Sequence, residues 1–239
     1  NDTTINSNTF IVTGEELTSA EITNQTTRRD FIADGGILRT TVNGPGNLAT
    51  IYVRAVDAAD KTTILSTVAS ATATEVSTGV YRNTTMTLTT GISAAKVLVQ
   101  AATDNTFSTN VMESNEIVID NTRPTVSAAA WVDNNTTTTT FSEPVLVAPA
   151  QLVGSYTIAG LQVGNAVLDL TTEAKVTLTT TTMTDGTTYT VDVAAAVTDL
   201  AGNAINSSAD TVGVDRASYT AGVTGITVTP ATASIEIGA

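Results

Sequence analysis

In Tyr189-Thr-Val-Asp-Val-Ala-Ala-Ala-Val-Thr-Asp199-Leu-Ala-Gly-Asn203, a strand pattern runs into an acidic Gly-Asn turn. Tyr189, Val191 and Val193 alternate with Thr190, Asp192 and Ala194, the period-two signature of a half-buried β-strand. Asp185-Gly186 before the stretch and Gly202-Asn203 after it are turn signals. The same grammar of short alternating runs between turns fills the rest of the chain.

Composition narrows what such a chain does. It has 239 residues, too many for one sandwich of about 100 residues and enough for two. Two cores of that size fold without staples, which fits the absence of cysteine. Cysteine and histidine are both missing, so thiol and triad catalysis, zinc-thiolate sites and haem ligation have no obvious residues to use. Four Phe, five Tyr and one Trp give few walls for a sugar-stacking cleft. No enzyme is therefore expected.

The net charge is −13, which argues against nucleic acid and anionic membrane as partners. The ten basic residues are scattered along the chain, with Arg28-Arg29 the one adjacent pair. No apolar run reaches the ~18 residues of a membrane span, so no membrane insertion is expected. No basic stretch leads into an apolar one, so no secretory leader is read, and the abrupt ends imply a piece of a longer chain. Thr makes up about a fifth of the residues and, with its branched Cβ, favours strands. The runs Thr136 to Thr140 and Thr179 to Thr182 read as polar faces of exposed strands.

Strands are expected at Phe10 to Thr13, Ile37 to Val42, Leu48 to Val56, Thr62 to Val68, Ala71 to Val76, Thr84 to Leu88, Ala95 to Ala102 and Glu116 to Asp120. The turn residues Asn43-Gly-Pro-Gly-Asn47 are short enough to join the second and third of these as a hairpin. Pro124 pushes Arg123 towards extended geometry and marks a boundary. Beyond it, strands are expected at Val126 to Val132, Thr136 to Phe141, Tyr156 to Ile158, Ala166 to Leu170, Ala174 to Thr179, Tyr189 to Ala194 and Thr211 to Val214. A helical turn is expected at Pro149 to Val153, and Trp131 reads as a core residue.

Several short motifs carry a resemblance. Asp185-Gly186 with Tyr189-Thr-Val191 and Thr198-Asp199 with Gly202-Asn203, Phe141-Ser-Glu-Pro-Val145, and Asp120-Asn-Thr-Arg-Pro124 resemble the closing strands, second strand and junctions of tandem bacterial Ig-like domains. Many such domains occur in Gram-positive surface-layer (S-layer) proteins. The resemblance implies an all-β chain of tandem Ig-like β-sandwiches: residues 1–122, residues 123–216, and at 217–239 the truncated start of a third, group 2 domain. It further implies a structural, extracellular cell-wall protein that self-assembles into a lattice. Its partners would be copies of itself and neighbouring domains of the same chain. An adhesin stalk, or an accessory domain of a surface carbohydrate-active enzyme, is the alternative.

An acidic surface with only hard oxygen ligands makes Ca²⁺ the natural cation. Asp57, Asp60, Asp104 and Asp120 all sit at strand ends. If those ends share one pole of the first sandwich, their oxygens converge into a site of the extracellular kind. Against this stands the habit of Asp to occupy turns and bond its own backbone. Asp199 with Asn203 is the weaker candidate, having no second acidic cluster nearby in sequence.

Overall fold

The structure is a computed structural model and describes residues 16–46, 48, 50–205 and 214–222. It is all-β apart from short helical turns. The chain falls into two compact units that divide between Arg123 and Pro124, with Thr198–Asn203 grouping with the first.

The first unit contains β1 (Ser19–Asn24), β2 (Phe31–Ile32), β3 (Ile37–Asn43), β4 (Ile51–Asp57), β5 (Ala71–Ser77), β6 (Val80–Thr87), β7 (Lys96–Ala102), β8 (Met112–Glu113) and β9 (Ile117–Ile119). They form one hydrogen-bonded path in the order β1-β3-β6-β5-β4-β7-β9-β2, with β8 on β7. The path folds over itself at β5. Ala71 to Ala73 pair with β4, while the residues from Thr74 onward pair with β6. One half contributes Ile22, Leu38, Val42, Tyr81 and Met86 to the core; the other contributes Ile51, Val53, Ala55, Val97, Val99, Ala101 and Ile117. The alternation read in Ile51, Val53 and Ala55 is the alternation that is buried.

The second unit contains β10 (Val126–Asp133), β11 (Thr136–Phe141), β12 (Tyr156–Ile158), β13 (Val163–Leu168), β14 (Lys175–Thr180), β15 (Thr188–Ala194) and β16 (Val214–Thr220). Two sheets, β10-β11-β14-β13 and β12-β15-β16, enclose one core. Four strands against three is the count of a constant-type Ig sandwich. Tyr189, Val191 and Val193 of the opening stretch all lie in that core, as their spacing requires. The helical turn comes earlier than expected, at Val147–Ala150, and the Tyr156 hydroxyl donates to Ala150 O at 2.6 Å to fasten it.

Several expectations are corrected. β3 and β4 do not form a hairpin; β3 pairs with β1 and β6. Gly44 N instead donates to Gly79 O, and the Tyr81 hydroxyl accepts from Leu48 N and donates to Pro45 O, both at 2.8 Å. The Gly-Pro-Gly segment therefore packs on the β5–β6 turn and carries the chain across to the other half of the sheet. Gly79, at φ 74°, has Gly44 O 2.5 Å from where a Cβ would stand, so no other residue fits there. Thr62 to Val68 makes only isolated bridges, Val56 to Ile64 and Ser66 to Leu88. β1, β2 and β8 are additional to the expected strands; β2 and β8 have two residues each, and β1 carries a single alternation, Ala20 and Ile22 inward. The strand expected at Thr211 to Val214 runs over Val214–Thr220 and pairs with β15 along its whole length. The expected strand at residues 10–13 and residues 223–239 lie outside the described residues.

The run Thr136 to Thr140 is not an exposed strand either. β11 is central in its sheet, and Thr137, Thr138 and Thr139 are all buried. Thr137 Oγ1 donates to Ala130 O at 2.8 Å, whereas the Thr139 hydroxyl, beside Val176 across the ladder, is buried without a hydrogen-bond partner. Such a group costs about 1–3 kcal/mol. Thr139→Val is expected to raise stability by about 1 kcal/mol, read as a higher midpoint in a denaturant melt with unchanged slope.

Trp131 packs against the core of this unit and touches Gly222. A Cβ on Gly222 would lie 2.7 Å from the indole ring. Gly222→Ala is expected to lower stability by about 1–3 kcal/mol by overpacking. Trp131 is the only tryptophan, so a shift of the fluorescence maximum reports the displacement directly.

Candidate functional site

The acidic turns are the candidate site, and each is built by its own local sequence. At the end of β4, Asp57 Oδ1 accepts Ala59 N at 2.8 Å. Asp60 accepts Thr62 N and Thr63 N at 2.8 Å and the Thr63 hydroxyl. These bonds hold the Asp60 carboxyl down at about 2. After β9, Asp120 Oδ1 accepts Thr122 N at 2.9 Å. After β7, Asp104 gathers the loop that follows: it accepts Thr106 N at 2.9 Å, the Thr106 hydroxyl, Ser108 N at 3.3 Å and the Thr109 hydroxyl at 3.1 Å. The Thr106 hydroxyl is the largest of the influences that hold its carboxyl well below the usual range.

The four do not converge. β4 and β7 run antiparallel, with Asp57 opposite Val97 and Tyr52 opposite Ala102. Asp104 therefore follows the far end of β7, five residue pairs or about 17 Å from the Asp57 end at 3.4 Å per residue. Asp120 lies at the Asp57 end, where Ile119 N donates to Ala95 O. Among the described residues, Asp57, Asp60 and Asp104 share no site with two other carboxylates. As a set they do not fit a six- to eight-oxygen calcium cage. Each has at least one oxygen bonded to a turn amide, and Asp60 and Asp104 accept hydroxyls as well.

Around Asp104 the loop is pinned from several sides. Phe107 takes φ 54°, unusual for a bulky residue, and its ring lies under the Arg54 guanidinium at 4.2 Å. Arg54 Nε donates to Gln100 Oε1, and Gln100 Nε2 donates to Lys61 O and Glu113 Oε1. Lys61 Nζ closes the network on Glu113 Oε2 at 2.6 Å. The pocket at the opposite end, lined by Asp57, Ala58, Ala59, Ala95, Lys96 and Glu116, holds about 180 Å³. That is below the roughly 300 Å³ at which small-molecule sites begin.

Asp199 was the weaker candidate in sequence, yet it is the most buried carboxylate described, at 1 % exposed. Burial pushes its carboxyl up, against the hydrogen bonds it accepts. Gly202 N and Asn203 N donate to Oδ1 at 2.7 Å, and Asn203 Nδ2 donates to Oδ2 at 2.8 Å. Within the same unit, Asn203 Nδ2 also donates to Asp120 O, and Asn24 Nδ2 donates to Ala201 O at 2.9 Å. A carboxylate oxygen of Asp120 comes within 4.8 Å of one of Asp199, a proximity 79 positions of sequence hide. The conspicuous Asp-Leu-Ala-Gly-Asn turn is thus a self-bonded loop seated in the first unit.

One grouping was missed altogether. The basic residues look scattered, but the β3–β6 register sets Thr41 opposite Arg82, which leaves Arg39 and Arg82 diagonal neighbours on one sheet face. Arg28, in the turn after β1, is close enough to oppose the charge on Arg39. Positions 28, 39 and 82 have no spacing that betrays this; only the strand pairing brings them together.

The comparisons bear on the same region. A family model described as a bacterial Ig-like domain matches residues 113–221, somewhat less than half of the chain. The segment it matches contains all seven strands of the second unit. Among curated proteins none matches. Of the solved structures similar to this chain, the N-terminal part of the bacterial S-layer protein SbsC is 23 % identical with TM-score 0.36, over 42 % of this chain and 24 % of that one. The BSP domain of a biofilm associated protein is 11 % identical with TM-score 0.28, over 89 % and 30 %. SGBP-B of Bacteroides ovatus, in complex with a mixed-linkage heptasaccharide, is 16 % identical with TM-score 0.23, over 80 % and 43 %. The chain spans less than half the length of each. Among the described residues, no helix is long and apolar enough to cross a membrane.

The lowered carboxyls set the acid response. A group whose pKa falls on folding contributes stability that is complete above its unfolded value, 3.8 for Asp60, and is lost as pH falls towards its folded value of about 2. The melting temperature is expected to drop across that window. In the double variant Asp60→Asn, Asp104→Asn the amides still accept in the turns but do not titrate, so the drop is expected to be shallower. Thermal melts from neutral pH to about 2 check it.

Proposed function

We propose that this chain is a structural segment of a bacterial cell-surface protein whose Ig-like units are building blocks of a self-assembling layer. The observation that carries the reading is the bacterial Ig-like match over residues 113–221, laid on a seven-stranded sandwich. The sequence supports it from the chemical side: no His, no Cys and few aromatics leave little equipment for catalysis or sugar stacking. The acidic side chains at the turns hold backbone together, which is the work of a building block. S-layer assembly is the finer part of the proposal and rests on the motif resemblance.

Calcium enters through charge. Copies carrying −13 each repel, and a divalent cation lowers that repulsion at contacts. The four turn carboxylates do not supply a cage for it.

Electron microscopy of the purified chain with millimolar CaCl₂, and again after chelation, tests the proposal. Ordered sheets or large particles that disperse on chelation are expected. A monodisperse, elongated particle under both conditions would favour a stalk, and clear hits on a glycan array would favour the carbohydrate-binding accessory domain.

A further inference from the structure

The outer face of the β1-β3-β6-β5 half of the first unit carries charge of the wrong sign for this protein. Leu38, Thr40 and Val42 point into the core, so Arg39 and Thr41 point out; Tyr81 and Asn83 point in, so Arg82 points out. Thr23 lies opposite Arg39 and Glu21 opposite Thr41 on β1, Thr41 opposite Arg82 on β3, and Thr74 opposite Arg82 on β5. Arg28 stands at the rim, exposed, with one guanidinium nitrogen on Gln25 Oε1 at 2.9 Å. Three of the ten basic residues thus share one patch in a chain of net charge −13.

Among the described residues no salt bridge joins an acid to Arg28, Arg39 or Arg82; Glu21, opposite Thr41 on β1, is the one carboxylate the register sets on this face. The described salt bridges are Lys61–Glu113 and Lys96–Glu116, on other parts of the unit. Arg39 is held below its ordinary value by burial, then by Arg82 and Arg28, with no carboxylate acting the other way. Arg82 Nε is buried and has no hydrogen-bond partner. Like charges set side by side are unfavourable unless something anionic completes them. The planar guanidinium fork, with Thr hydroxyls between, is shaped for carboxylate oxygens.

We infer that the Arg28–Arg39–Arg82 face is a docking surface for the carboxylate-bearing acidic surface of a second copy of this chain. This rests on, and sharpens, the self-assembly reading. Charge complementarity selects the partner: 23 acidic residues against ten basic ones make the rest of the molecule the counter-surface. It also fixes the kind of contact. Arginine facing arginine repels, so the patch does not pair with itself, and the contact is heterologous. A heterologous contact that does not close propagates from copy to copy.

Sedimentation velocity of the full chain over a concentration series tests this, at low salt and at about 1 M NaCl, where the screening length is about 3 Å. Association at low salt that disappears at high salt is expected. Arg39→Glu with Arg82→Glu is expected to weaken it by more than about tenfold, and Arg39→Gln with Arg82→Gln by less, because neutralisation removes attraction without adding repulsion. Thermal melts of both variants establish that they fold; an unfolded charge-reversal variant leaves the neutral one to decide. Association that the variants leave intact would overturn the patch while sparing self-assembly. A monomer throughout would also overturn it, and the electron microscopy above judges the layer separately. Arginine-dependent, salt-sensitive binding of soluble polyglutamate or dextran sulfate by a chain that does not self-associate would assign the patch to an anionic polymer instead and overturn the inference.

Discussion

The constraint on which the structure depends is that backbone amides at strand ends need partners once the ladders stop. An all-β chain has many such ends, and this one has no disulfide to hold them. It answers with short acidic and amide side chains. Asp57, Asp60, Asp104, Asp120, Asp169 and Asp199 each accept an amide a few residues ahead. Asp34 does the same at long range, holding Gly91 N at 2.6 Å and Ile92 N at 3.1 Å. Much of the negative charge is therefore part of how the sheets are closed.

That use of carboxylates reshapes the functional picture. An acidic protein invites a search for cations, and the strand ends looked like the place. The antiparallel register puts Asp104 at the far end from Asp57, so the four turn carboxylates do not meet at one site. The opposite charge gathers where β1, β3 and β6 run together.

What was legible in the sequence was what local alternation determines. Tyr189, Val191 and Val193, and Ile51, Val53 and Ala55, announced their buried faces. Pairing was not legible. Asn43 to Asn47 has the residues of a hairpin turn, but the Tyr81 hydroxyl, some 35 positions on, decides that the chain crosses over instead. Thr137 to Thr139 looked like a solvent face because Thr is polar; a central strand buries its residues whatever their type. Asp199 looked isolated because its neighbour Asp120 is distant in sequence. The arginine face was hidden for the same reason, being a product of register alone.

Strand β5 has a mechanical meaning. Its first residues are bonded to β4 and its later ones to β6, so both halves of the first unit hang from one stretch of backbone. A load that peels either half away must break bonds along the same seven residues. The two layers are joined through it and are not independent plates. A pull across either half of the unit would act on bonds made by this one strand.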